Sequence, residues 1–85
     1  MIAEEVKNLL IQSFPDASIK VKGDEANFSV DIVSQHFENV TRFNRQKKVL
    51  ACVKEQITSG EIHAFSIQAF TQEEWEKEKN TLVVL

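Results

Sequence analysis

Few residues in this chain could do chemistry. It holds two histidines, His36 and His63, and one cysteine, Cys52, in 85 residues. His63 stands near the start of residues 62–70, a run of mostly apolar or small residues with aromatic and β-branched members, as in a buried strand. On such a strand His63, Phe65, Ile67 and Ala69 share one face, and Ala64, Ser66, Gln68 and Phe70 share the other. His63 is the one polar member of the apolar face and sits at the strand's start, where a side chain reaches the sheet rim. Two readings are open for it. One is an imidazole satisfied by a nearby carbonyl or carboxylate; the other is a metal ligand, since neutral imidazole suits iron and zinc.

Cys52 allows no internal disulfide and fits a reducing compartment; its expected role is small core filler within a helix. A second feature is charge. Arg42, Arg45, Lys47, Lys48 and Lys54 face only Glu55 in their segment, so this segment is basic within a chain of net charge −3. That net charge weighs against a surface given over to nucleic acid, while the local run fits either a solvated helix face or an acidic partner. No cysteine-histidine pair, no serine-histidine-acid order and no phosphate loop is recognisable, so intrinsic catalysis is not expected. Glu73 and Glu74 suit a helix start through the dipole alone.

The elements that must position these residues can be read from periodicity. Ile2, Val6, Leu9, Leu10 and Phe14 recur at helical spacing, and Pro15 closes a helix over residues 2–13. Ile19 and Val21 alternate with polar neighbours as in an edge strand, Gly23, Asp24 and Glu25 turn, and residues 27–34 return with Phe28, Val30 and Ile32 inward. Residues 35–41 hold a short helical turn. Residues 42–58 read as one main helix with Val49, Leu50, Val53 and Ile57 on its buried stripe and the cations mostly opposite. Gly60 stops it. After the third strand Thr71 and Glu74 form a capping box, opening a helix to about Asn80 whose Trp75 packs back on the sheet. The apolar tail 81–85 has no assigned place.

This order gives an α+β fold, a single domain over residues 1–80 with α-β-β-α-β-α succession and a three-stranded mixed sheet. A strand joined to the next through a long helix runs parallel to it by a right-handed crossover. Both then start at the same end of the sheet, which puts His63 beside the hairpin loop. His36 falls beyond the other end, roughly 25–30 Å away at ~3.3 Å per residue, so the two histidines cannot share a metal within one chain. With 42% hydrophobic and 27% charged residues and no long apolar run, a compact cytoplasmic protein, monomeric when alone and without membrane contact, is expected.

Ile62, His63, Ala64, Phe65, Ser66 and Ile67, followed by Phe70, Thr71, Gln72, Glu73, Glu74 and Trp75, resemble the signature of the BolA-like family. Phe28 to Ser34 with Phe37 and Glu38, and Asn44, Arg45 and Gln46 in the next helix, extend the resemblance over about residues 5–78. It implies a fold similar to a type II KH-like domain and a partnership with a monothiol glutaredoxin. It also implies that His63 is a ligand to a two-iron, two-sulfur cluster held jointly with that partner and glutathione, with none expected on the isolated protein. Imidazole in place of thiolate raises the potential of such a centre, which suits relay or sensing. Many members carry a further histidine or cysteine in the hairpin loop. This loop offers only Asp24 and Glu25 and the amide of Asn27. Either His63 therefore acts with an oxygen ligand such as Asp24 or Glu25, or the glutaredoxin holds most of the cluster, or the two proteins meet without one. The family's link to transcription implies a rival function, nucleic-acid binding by the basic helix through Arg42, Arg45, Lys47, Lys48 and Lys54, although the chain has no Gly-x-x-Gly loop.

Overall fold

The structure, a computed structural model, describes residues 1–83, with side chains through Lys79. Helix α1 (Ala3–Ser13) leads to strands β1 (Ser18–Asp24) and β2 (Asn27–Val33) and a 3-10 turn at Gln35–Phe37. Helices α2 (Arg42–Ala51) and α3 (Lys54–Ser59), strand β3 (Ala64–Phe70) and helix α4 (Gln72–Val83) complete the order. The sheet order is β1-β2-β3, with β1 antiparallel and β3 parallel to β2. The α+β fold with a mixed three-stranded sheet is as expected.

Register lines the apolar residues into rows across the sheet. Ile19, Ile32 and Ala69 form one row, Val21, Val30 and Ile67 a second, and Gly23, Phe28 and Phe65 a third. Because side chains alternate, these rows share one face. Val6 and Leu10 of α1 and Phe14 just after it close over it with Phe37, Val49, Val53 and Ile62. The opposite face carries Lys20, Lys22, Ser29, Ser66 and Gln68, all exposed, and ends in Val33 and Phe70, which are buried and half-buried with Trp75 against Phe70. Phe37 is fully buried with its ring 5.4 Å from that of Phe14.

Several expectations change. The main helix is two helices, because at Cys52 and Val53 the bonds tighten: Cys52 N–H donates to the Val49 carbonyl and Val53 N–H to that of Leu50, each at 3.1 Å. Val53 leaves helical geometry at φ −121°, ψ 19° and is fully buried, whereas Leu50 and Ile57, expected in the core, are exposed. Strand β3 begins at Ala64, two residues later than expected, and is an edge strand with one half-buried face, since nothing pairs beyond it in the sheet. The hairpin loop is only Glu25 and Ala26, between Asp24 and Asn27. Glu25 takes φ 53° and Gly23 φ 126°. A β-carbon on Gly23 would lie 2.1 Å from the Asn27 carbonyl oxygen, so the chains cross there only because glycine has none.

The capping box at α4 is present. Glu74 N–H donates to Thr71 Oγ1 at 3.2 Å and Thr71 N–H to Glu74 Oε1 at 2.9 Å. The helix runs past Asn80 to Val83, so three residues of the apolar tail are helical backbone; residues 84–85 lie outside the described residues.

Candidate functional site

His63 sits between two anchors. Ile62 before it is buried, and its N–H donates to the Gln56 carbonyl in α3 at 3.0 Å. His63 N–H itself donates to the Ala26 carbonyl at 2.7 Å, and Ala64 N–H reaches the same oxygen at 3.2 Å. This fork fixes the histidine backbone against the hairpin tip, one residue before the Asn27–Ala64 pair of the parallel ladder. The crossover argument is therefore borne out: His63 and the hairpin loop share one end of the sheet. The ring is exposed and has no hydrogen bond or ion pair among the described residues. A satisfied core histidine would show neither property.

Its surroundings are acidic and sparse. Asp24 and Glu25 are both exposed at the loop. Asp24 pairs with Asn27, which pairs with Ala64, so alternation assigns Asp24 to the polar outer face, while Glu25 stands in the turn. No group of three or more histidine, cysteine or acidic side chains is arranged to hold a metal among the described residues. Toward a two-iron, two-sulfur cluster the donor set fits in part: His63 offers one accessible imidazole, and any second side-chain ligand from this loop is a carboxylate or the Asn27 amide, a harder donor than iron-sulfur centres favour.

The other candidates lie elsewhere. His36 is exposed in the 3-10 turn past the opposite end of β2, with its backbone N–H on Ser34 Oγ at 3.0 Å. Cys52 is half-buried at the α2–α3 break with its thiol 3.6 Å from the Lys48 carbonyl, as filler packed against the core. Of the five cations, Arg42, Lys47, Lys48 and Lys54 are exposed, but Arg45 is 6% exposed and leaves the surface set. Its Nε donates to the Val40 carbonyl at 2.8 Å and its Nη1 to that of Ala69 at 3.1 Å, and its guanidinium pairs with Glu74 and lies 5.7 Å from the Phe37 ring centre. Burial of a charge requires such partners, and here each guanidinium nitrogen has at least one. Arg45's hydrogen bond, with the Thr71 N–H, pulls the Glu74 carboxyl down from 4.5 to about 2. A groove of about 410 Å3 runs between α2, β3 and α4, bordered by Arg42, Gln46, Gln68 and Phe70, away from His63.

Two features escaped the sequence reading. Glu74 closes an ion pair with a residue 29 positions earlier, a separation no local pattern reports. Phe43 is 70% exposed with Lys47 Nζ 5.4 Å from its ring centre, a signal available as an aromatic off the buried stripe of its helix.

Residues 6–74 match the sequence profile described as BolA-like protein. The chain belongs to the BolA-like family. It is 40% identical over 77 residues to a protein from the rpoN-murA intergenic region of Acinetobacter guillouiae, covering 91% of this chain and 93% of that one. It is 31% identical over 75 residues to the acid stress protein IbaG of Escherichia coli K12, covering 88% and 89%. Among solved structures, BolA1 from Arabidopsis thaliana superposes with a TM-score of 0.75 at 26% identity, over 85% of this chain and 93% of that one. No helix among the described residues is long and apolar enough to cross a membrane.

Proposed function

We propose that this BolA-like protein is a non-catalytic adaptor that pairs with a monothiol glutaredoxin and lends His63 to a two-iron, two-sulfur cluster carried by that partner with glutathione. The observation that carries the reading is the His63 ring, exposed and without a partner on a backbone held rigidly against the hairpin. Rigid backbone with a free donor is what a ligand completed from outside requires, because little ordering remains to be done on binding. When bound, such a cluster supplies one-electron chemistry and a potential raised by imidazole ligation. The chain's own part is to present the imidazole at the sheet rim, with Glu25 or Asp24 of the hairpin loop as candidate oxygen donors, in a cytoplasmic setting. The family likeness to IbaG, named for acid stress, supports a stress-related role.

The test is to mix the protein with cluster-loaded monothiol glutaredoxin and record visible circular dichroism. Wild type should change the cluster spectrum, His63→Ala should not, and His36→Ala should behave as wild type. A spectrum indifferent to His63 overturns the ligand role. A second reading, nucleic-acid binding, draws on the exposed Arg42, Lys47, Lys48 and Lys54. It requires affinity for duplex DNA that falls steeply with added salt.

A further inference from the structure

Five large hydrophobic residues are exposed among the described residues, and three of them, Phe43, Leu50 and Ile57, are spaced by seven along α2 and α3. Their exposures are 70%, 36% and 39%. Lys47 and Lys54 stand between them, giving the order Phe43, Lys47, Leu50, Lys54, Ile57. At ~100° per residue Phe43, Lys47 and Leu50 fall within about 60° of arc on α2, and Lys54 and Ile57 about 60° apart on α3. Across the break at Val53 all five side chains remain exposed, and the ladder resumes with Ile57 N–H donating to the Val53 carbonyl at 3.0 Å. The row is thus a solvent-facing seam over two successive helices, opposite the buried side of α2 that carries Arg45 and Val49, and at most about 21 Å long at ~1.5 Å per residue. Arg42 and Lys48 border it.

We infer that this seam docks an acidic amphipathic helix of another protein. Apolar side chains one heptad apart with cations between them are half of a helix-to-helix interface; the missing half presents an apolar stripe flanked by carboxylates. Each alternative occupant leaves part of the row unused. A nucleic-acid backbone takes the lysines but has nothing for Leu50 and Ile57, which lack the π-face that base stacking uses. An anionic membrane would attract the cations but repel the rest of a chain whose net charge is −3. A second copy lacks the matching stripe among the described residues. Ile2 and Ile11, the other exposed apolar residues, are nine apart and fall on opposite sides of α1, and the side chains of α4 through Lys79 include one large apolar member, Trp75, which packs 5.4 Å from Phe70. The inference uses no property of His63 and stands or falls apart from the cluster reading.

The probe is a synthetic 21-residue helical peptide with leucine at the first and fourth positions of each heptad and glutamate on either side. The controls are a scrambled peptide and one with lysine for glutamate. Fluorescence anisotropy should give the acidic peptide at least tenfold tighter binding than either control, with amide shift changes along residues 43–57. Phe43→Ser and Lys47→Glu should each weaken it at least fivefold while thermal unfolding stays unchanged. Preference over the scrambled peptide below tenfold, shifts centred elsewhere, or affinity insensitive to Phe43→Ser would overturn the inference. So would tighter binding to a single-stranded oligonucleotide or to phosphatidylserine vesicles, or a self-association that Phe43→Ser abolishes.

Discussion

Arg45 of α2 and Glu74 of α4 face each other fork to fork, with Nη1 2.5 Å from Oε1 and Nη2 3.1 Å from Oε2. The arginine side chain is 8% exposed and the glutamate side chain 46% exposed, so the pair joins a buried cation to a half-solvated anion. The same guanidinium satisfies carbonyls of Val40 and Ala69. It therefore ties the loop before α2, the end of β3 and the start of α4 to one planar group.

The pair sets a pH dependence. Glu74 titrates at about 2 in the folded chain against 4.5 for the free group, a depressed carboxylate. Its contribution to stability is fully present above pH 4.5 and is lost as pH falls toward 2. Glu74→Gln should destabilise the protein at pH 7 by about 1–2 kcal/mol, below the 3–5 kcal/mol of fully buried pairs because Glu74 is half in water. Urea unfolding of wild type and variant at pH 7, 4 and 2.5 should give curves whose separation narrows with acid. A separation constant down to pH 2.5 would rule out the pair as its source.

Phe37 is the second test of that neighbourhood. It is fully buried between Phe14 and the Arg45 guanidinium. Phe37→Ala should cost about 3–5 kcal/mol, a large share of what a domain this small possesses, and Phe37→Leu about 1–2 kcal/mol. Because the ring also faces the cation, the Phe37→Leu and Glu74→Gln losses should not add. A double-mutant cycle in urea reads the coupling directly.

The two glycines have opposite demands. At Gly23 a β-carbon meets the Asn27 carbonyl at 2.1 Å; at Gly60, with φ 88°, nothing lies within 4 Å. Gly60→Ala should cost only the left-handed backbone strain, about 1 kcal/mol. Gly23→Ala must also push apart β1 and β2 beside the loop that anchors His63, and should cost at least ~2 kcal/mol. Amide shifts of Ala26, His63 and Ala64 should move with Gly23→Ala and hold still with Gly60→Ala.

Local patterns in the chain were legible because local physics decides them. The hairpin, the Thr71–Glu74 box and the crossover that sends His63 to the hairpin end each follow from spacing within a few residues or from chain handedness. What spacing could not report was which cation would be buried. Arg45 looks like its lysine neighbours until the carbonyls of Val40 and Ala69 and the carboxylate of Glu74 converge on it, and those partners come from three elements. The helix break was hidden for a similar reason. Residues 42–58 have helical periodicity throughout, and only the packing of Val53 against the sheet makes a tightened turn the better arrangement. At the candidate site the sequence placed the histidine; its exposed, unengaged ring required the surrounding fold.

The outer edge of β3 is guarded by side chains rather than by another strand. Gln46 Nε2 donates to the Ile67 carbonyl at 2.9 Å and Arg45 Nη1 to the Ala69 carbonyl at 3.1 Å, two residues further along the same edge. An edge with its carbonyls occupied is a poor template for pairing with another chain. Gln46→Met keeps the length of the side chain and removes the donor, so it should cost about 1 kcal/mol in urea unfolding for the lost bond. It should also free the Ile67 carbonyl, and the variant should form larger species by light scattering on prolonged incubation under conditions where wild type stays unchanged. The stability loss alone, with no change in scattering, would mean that the Arg45 contact suffices to close the edge. In that case combining Gln46→Met with Glu74→Gln should still leave the edge closed, because Arg45 keeps its bond to Ala69 without the carboxylate.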